Sequence, residues 1–244
     1  MCSDARTSGR TEERQEGRRF TRIYLEWAEK CHRQASVALR KGSAVPPQRD
    51  RIPLLRDLLD CFSPGDRSFV SRALTDPYFP VTMTARTHLR LDCSRFPSAS
   101  PEKLEKVKMN RVAGLSRMFL RLRSDIAAME THGRVSSMRL TGRMDQSLPW
   151  GQWCTFCGEC CRINGVNPAP PPGIVYPGHW LDYISGDTPI PSEFCVFQFE
   201  YFGLDRYFCS IHAVKPLACR KYEREHCLSA HPGKADAGGG DVIF

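Results

Sequence analysis

The sequence lacks any long hydrophobic run. No stretch approaches the roughly 18 consecutive apolar residues of a membrane span, so no span is predicted. Residues 1–19 are polar and charged, without the apolar segment of a secretory signal. Twelve cysteines in 244 residues are also too few for a small disulfide-stabilised secreted scaffold. These absences favour a cytoplasmic protein, in which clustered thiols act as metal ligands or redox centres.

The cysteines that the sequence does contain are unevenly distributed. Four are scattered, at Cys2, Cys31, Cys61 and Cys93, whereas eight lie within residues 154–227. Cys31 and Cys61 fall on predicted helices, Cys31 on an apolar helix face, and neither needs a chemical role. The eight clustered thiols are the predicted metal ligands: Cys154, Cys157, Cys160, Cys161, Cys195, Cys209, Cys219 and Cys227.

Residues 154–161, the cysteine run, have the spacing C-x2-C-x2-C-C. A C-x2-C step lets two thiolates converge on one ion, and three such thiols begin a ferredoxin-type motif. The run then closes on the adjacent Cys161, so Cys160 and Cys161 serve different centres or one of them supports the other's site. The missing ligands are expected from Cys195, Cys209, Cys219 and Cys227.

Two kinds of metal centre fit this spacing. Iron–sulfur clusters, of which the four-iron form is favoured, take soft thiolates, often three from one tight run and one from afar. Zinc takes four thiolates or a mixture of thiolates and imidazoles, and His179, His212 and His226 are close enough in sequence to contribute. Eight thiols suffice for two four-thiolate sites, or for one cluster with spare thiols.

The order of these motifs resembles a known family. The cysteine run is followed by Cys195 and then by Cys209-Ser210-Ile211-His212, Pro216, Cys219-Arg220 and Tyr222. This arrangement is similar to the CxxCxxCC family, the YkgJ-type cysteine clusters that are described as zinc- or iron-chelating domains. The resemblance covers about residues 150–230, and Lys215 stands where the family usually has arginine.

The resemblance implies metal chelation more directly than it implies a reaction. One branch of the family, which resembles flagellin lysine N-methylases, couples such a cluster to methyl transfer from S-adenosylmethionine. The sequence has neither a glycine-rich Rossmann turn for that cofactor nor a C-x3-C-x2-C radical motif. Redox or protein-modification chemistry is therefore an open expectation. Lys215 and Arg220 are predicted to donate hydrogen bonds to cluster sulfurs or to neutralise thiolate charge.

Charge divides the chain into two parts. Residues 1–150 carry 28 Lys and Arg against 17 Asp and Glu, whereas residues 151–244 carry 7 against 10. The basic part is either an ordinary solvated helical surface or a surface for an acidic protein or nucleic acid. The alternative function is therefore a non-catalytic zinc module fused to a basic helical adaptor, although no nucleic-acid-binding motif is present.

The pattern predicts an α+β protein with a helical first part and a small, irregular, metal-nucleated second part. Helices are expected at residues 19–41, 50–62, 67–74 and 100–131. Alternating apolar and polar residues predict a strand from Val81 to Cys93, with a partner at Val135–Leu140. The predicted divisions are a disordered terminus (1–18), a basic helical domain (19–147), a cysteine-cluster domain (148–232) and a flexible tail (233–244).

Overall fold

A computed structural model describes residues 19–41, 48–90, 99–131, 158, 165–190 and 194–220. The described α-helices are α1 (Arg19–Arg40), α2 (Leu54–Leu59), α3 (Pro64–Thr75), α4 (Val81–Thr87), α5 (Pro101–Thr131), α6 (Gly178–Ile184) and α7 (Leu217–Arg220). Short 3-10 turns lie at Arg49–Arg51 and His212–Val214, and two strands, β1 (Gln198–Glu200) and β2 (Tyr207–Cys209), form an antiparallel sheet. The bulk is thus helical with a small sheet, as the predicted α+β class requires.

The two long helices follow their apolar periodicity. In α1, side chains that recur at steps of three and four are buried, among them Tyr24, Trp27 and Cys31. In α5 an apolar seam that includes Val112, Phe119 and Leu122 is also buried. The Ser100 hydroxyl accepts a hydrogen bond from the Lys103 amide at 3.3 Å. Neither helix, nor any other described one, has the length and apolar character needed to cross a membrane.

The connection between α1 and α4 differs in detail from its prediction. Asp50, the first residue of the helix predicted at 50–62, lies within a 3-10 turn, and α2 begins after Pro53 without a side-chain cap. Ser63 is the residue that caps: its hydroxyl accepts from the Asp66 amide at 3.2 Å. Because Pro64 is well suited to a first helical position, α3 begins there, before the predicted start.

The strand predicted from Val81 to Cys93 is wrong, because residues 81–87 form helix α4. Val81, Ala85 and Leu89 are apolar at steps of four, which fits a helix as well as their alternation fits a strand. The threonine hydroxyls are accommodated within the helix, since Thr84 donates to the Pro80 carbonyl at 2.7 Å. The proposed partner strand at Val135–Leu140 lies outside the described residues.

Tertiary contact from β1 fixes the start of α4. The buried Glu200 carboxylate accepts a hydrogen bond from the Thr82 amide at 2.8 Å, so a distant side chain supplies the helix cap. The alternation of apolar and polar residues from Val81 to Cys93 does not predict this contact.

One apolar core joins the long helices to the sheet. The Phe119 ring of α5 lies 5.2 Å from that of Phe79 and 4.8 Å from that of Phe199, measured between ring centroids. Phe199 in turn contacts Phe208 on β2 at 6.1 Å. Offset and edge-to-face aromatic pairs of this kind add to the free energy of simple area burial. The core therefore places the cysteine-bearing hairpin directly against α5.

A buried arginine holds the loop next to that hairpin. The Arg49 guanidinium is 1% exposed and donates to the carbonyls of Asp76 at 2.7 Å and Pro77 at 3.1 Å. The same loop accepts hydrogen bonds from the hairpin backbone, from the Glu200 amide to the Tyr78 carbonyl and from the Phe202 amide to the Pro77 carbonyl. The predicted domain boundaries stay predictions, as do the disordered terminus and tail, which lie outside the described residues.

Candidate metal centre

Three of the eight predicted cysteine ligands lie within the described residues. Cys195 comes three residues before β1, Cys209 ends β2, and Cys219 lies on α7. The other five lie outside the described residues: Cys154, Cys157, Cys160, Cys161 and Cys227. The roles of these five stay predictions.

The fold places the other two described thiols within electrostatic range of Cys209. Gln198 pairs with Cys209 across the sheet. The backbone N–H of Gln198 donates to the Cys195 carbonyl at 3.0 Å, which folds residue 195 back towards the strand. Electrostatic interactions with the Cys195 and Cys219 thiols both raise the pKa of Cys209. Residues separated by 14 and 10 positions in sequence are thus neighbours in space.

Burial raises the pKa of the Cys209 thiol well above its ordinary value, and the nearby Cys195 and Cys219 thiols raise it further. A hydrogen bond from the Ile211 backbone and the positive charge of Lys215 act in the opposite direction. A group of thiols in such surroundings loses its protons when a metal cation binds, because the cation stabilises the thiolates. Without a bound metal, the Cys209 thiol is therefore protonated near pH 7.

Gly158, the one described residue of the cysteine run, lies against the same hairpin. Its φ is +79°, a left-handed conformation that favours glycine. A Cβ atom there would lie 1.7 Å from Gln198 Nε2 and 3.1 Å from the Tyr207 Cβ. The glycine between Cys157 and Cys160 therefore lets the backbone pack closely on β1 and β2.

Lys215 and Arg220 flank the thiols in different ways. The charge of Lys215 lowers the pKa of Cys209, in keeping with its predicted role of neutralising thiolate charge. Arg220 donates from Nε to the Lys215 carbonyl at 3.2 Å and from Nη2 to the Ala213 carbonyl at 3.0 Å. These two bonds fix the turn between Cys209 and Cys219. Hydrogen bonding from either residue to a cluster sulfur stays a prediction.

The histidines suggested for a zinc site are in different situations. His179 Nε2 lies 2.7 Å from Asp125, which also accepts from Trp180 Nε1 at 3.0 Å, so this histidine is paired with α5. Burial, together with the charges of Lys215 and Arg220, lowers the pKa of His212 to about 4. His212 is therefore neutral near pH 7. His226 lies outside the described residues.

Tyr176 and Gln198 are not among the residues predicted from the sequence, yet both lie near the thiols. The Tyr176 hydroxyl donates to the Val214 carbonyl, and burial raises its pKa, with Cys209 and Cys219 adding to the rise. Gln198 is 1% exposed, and neither Nε2 nor Oε1 of its side chain has a hydrogen-bond partner in the described part of the chain. The density of aromatic residues after residue 150 is the signal that could have indicated Tyr176.

The donor chemistry fits a thiolate-bound metal, although the described thiols do not complete a site. Within the described ranges, no set of three or more His, Cys, Asp or Glu side chains is arranged to hold an ion. A thiolate site would therefore need ligands from outside the described residues, and Gly158 of the cysteine run packs closely on Gln198. Thiolates are soft ligands that suit zinc and iron–sulfur clusters.

Comparison with known protein families yields no matching family, and neither the characterised proteins nor the solved structures include a match to this chain. Any function proposed for the chain therefore depends on its residues and their arrangement.

Proposed function

We propose that the chain binds a metal centre, an iron–sulfur cluster, through thiolates of the cysteine run and of residues 195–227, and that it acts in redox or protein-modification chemistry. The first ligands are Cys154, Cys157, Cys160 and Cys161, followed by Cys195, Cys209 and Cys219, with Cys227 last. When bound, such a cluster supplies an electron-transfer centre or a Lewis acid.

The observation that carries the proposal is that Cys195 and Cys219 both lie within electrostatic range of Cys209, whose strand partner Gln198 packs against Gly158 of the cysteine run. The packing of a short hairpin does not by itself require three thiols near one another. The remaining contacts support the same conclusion, because Lys215 offsets negative charge and the Ile211 backbone donates to Cys209. Hydrogen bonds and charges of this kind tune thiolate-bound metals.

Metal analysis of the protein purified without oxygen tests the proposal. We expect iron and acid-labile sulfide in comparable amounts and a visible absorption band. Cys209→Ser should lower the metal affinity at least about tenfold, the minimum typical of losing even a supporting contact. Cys61→Ser is the matched control, since Cys61 is a half-buried thiol whose Sγ lies 3.5 Å from the Asp57 carbonyl.

Two results would contradict the proposal in different ways. A colourless protein with one or two zinc ions per chain would replace the cluster by a zinc centre. Full metal content in Cys209→Ser, or equal loss in Cys61→Ser, would overturn the ligand assignment itself.

The structure gives less support to the alternative function, a basic adaptor with a zinc module. Of the basic residues on α5, Lys108, Arg117 and Arg123 form ion pairs within the chain, with Glu105, Asp66 and Asp76 respectively. Their charges are thus largely committed, which leaves fewer for an acidic partner. Nucleic-acid binding measured across a range of salt concentrations distinguishes the two functions.

A further inference from the structure

Four side chains place a row of close oxygen atoms between the hairpin and α4. Glu200 Oε1 lies 2.5 Å from Thr82 Oγ1, which lies 2.8 Å from the Tyr207 hydroxyl. That hydroxyl lies 2.5 Å from Asp205 Oδ1, and a longer contact of 3.4 Å joins Asp205 Oδ1 to Thr82 Oγ1. This oxygen row, in the order Glu200, Thr82, Tyr207 and Asp205, links a buried carboxyl to a partly exposed one.

The oxygen row has three close contacts but only two hydroxyl protons. Two oxygens at these distances need one proton between them to form a hydrogen bond. The Thr82 and Tyr207 hydroxyls carry one proton each, and an ionised carboxylate carries none. With Glu200 and Asp205 both ionised, one of the three contacts is therefore left with lone pairs facing each other, whichever way the hydroxyls turn.

One additional proton satisfies all three contacts. A proton on Glu200 Oε1 is donated to Thr82, the Thr82 proton then goes to Tyr207, and the Tyr207 proton goes to Asp205. With the additional proton on Asp205, the same three bonds run in the opposite direction. No other hydrogen bond is lost, because Glu200 Oε2 still accepts from the Thr82 amide at 2.8 Å and Oε1 from the Asp205 amide at 3.1 Å.

The surroundings favour Glu200 as the end that holds the proton. Glu200 is completely buried, and burial raises its pKa, although the hydrogen bonds from Thr82 and the charge of Arg49 oppose the rise. Asp205 forms an ion pair with the Arg86 guanidinium of α4, an interaction that a protonated carboxyl would lose.

The titratable groups of the other elements packed against Glu200 are compatible with a neutral carboxyl. On α1, burial raises the pKa of Cys31 to about 12 and also raises that of Tyr24, so both are uncharged near pH 7. On β2, burial raises the pKa of Tyr207, whose hydroxyl therefore keeps its proton. Arg49 favours an ionised Glu200, but its guanidinium donates to backbone carbonyls of the loop that follows α3.

We propose that one shared proton, held in the oxygen row, joins the hairpin to α4 and makes this joint sensitive to pH. Thr82 lies in the first turn of α4, and the other three side chains of the row belong to the hairpin. As the pH rises, the three bonds reverse direction and the proton leaves to water from Asp205, the partly exposed end. One contact then becomes repulsive and the joint loosens. The inference does not depend on the proposed metal centre.

Carbon-13 NMR of the carboxyl groups, recorded on the full chain over a range of pH, tests the inference. We expect the Glu200 carbon, assigned by its loss in Glu200→Gln, to titrate above the ordinary glutamate value of 4.5. Tyr207→Phe removes one oxygen from the row, so the Thr82 proton serves Glu200 alone and no third proton is needed. The titration midpoint of Glu200 should then fall by about one pH unit, which corresponds to one hydrogen bond.

Tyr176→Phe is the matched control, because Tyr176 is as deeply buried as Tyr207 and its hydroxyl donates to the Val214 carbonyl instead. In this variant the Glu200 midpoint should be that of the wild type. A wild-type midpoint at or below 4.5 would overturn the shared proton. A raised midpoint that is unchanged in Tyr207→Phe, or that falls equally in Tyr176→Phe, would also overturn it, because burial alone would then hold the proton.

If Tyr207→Phe does not fold, the wild type decides through its two carboxyl groups. Because a shared proton couples the two sites, the Glu200 and Asp205 carbons should both follow the same two pH steps. A single, independent step at each carbon would contradict the inference.

Discussion

The helical region, residues 19–131, and the hairpin segment, residues 194–220, are held together differently. The former buries long apolar seams, such as Val112, Phe119 and Leu122 on α5, which recur at helical spacing. The latter has only two three-residue strands and depends on buried polar groups, among them Gln198 and Glu200. The helical region therefore contributes most of the shared apolar core, to which the hairpin segment adds a smaller apolar share and buried polar groups.

The largest expected effect outside the metal ligands is in the helical core. Leu122 is completely buried, so Leu122→Ala should lower the free energy of unfolding by about 2–5 kcal/mol through lost burial and a residual cavity. Denaturant unfolding in the presence and absence of a metal chelator should give the same loss. The control is Leu25→Ala on α1, because Leu25 is 46% exposed. A loss that vanished on chelation would contradict a core independent of metal.

A smaller effect is expected at the contact between the cysteine run and the hairpin. Gly158→Ala places a Cβ in a left-handed backbone and against Gln198, and the backbone strain alone costs about 1–2 kcal/mol. Bound metal per chain and the melting temperature of the metal-loaded protein should both fall.

Gly65→Ala is the matched control for Gly158→Ala. Gly65 lies within α3 with nothing near its would-be Cβ, so the change should be neutral or stabilising by up to about 1 kcal/mol. Unchanged metal content and stability in Gly158→Ala would show that the run does not need this close packing.

The smallest expected effect concerns the cap that joins the two regions. Burial raises the pKa of Glu200, although its hydrogen bonds from Thr82 and the charge of Arg49 oppose the rise. A carboxyl whose pKa is higher in the folded protein stabilises it below the unfolded pKa of about 4.5, and this contribution declines as the pH rises through the folded pKa. Glu200→Gln has no such titration. The stability of the wild type relative to Glu200→Gln should therefore decrease above pH 4.5 in thermal unfolding at a series of pH values, and a constant difference would contradict the raised pKa.

The helices α1 and α5 could be predicted because their apolar periodicity extends over 22 and 31 residues. Helix α4 could not, since its seven residues fit both periods and a cap from Glu200, 118 positions away from Thr82, starts it. Short segments take their structure from such tertiary contacts, which local pattern does not record.

The candidate site also has features that the local sequence predicts and features that depend on tertiary contacts. The thiols were identifiable by spacing, because metal chemistry restricts which residues can serve and how closely they follow each other. The pairing of Gln198 with Cys209 and the approach of Gly158 depend on the hairpin register. The strand predicted from Val81 to Cys93 places His88 on its polar face, whereas His88 is 2% exposed in the folded chain.

The loop that Arg49 holds through the Asp76 and Pro77 carbonyls limits where this protein can be divided into fragments or recombined with another. A fragment beginning at residue 148 would lose the loop whose Pro77 and Tyr78 carbonyls receive the hairpin amides of Phe202 and Glu200. Those amides would be left to water, and Glu200 would lose its Thr82 partner as well. Transfer of the cysteine motif to another protein thus requires a substitute for this loop, so recombination that preserves the hairpin is expected to carry residues 49–82 with it.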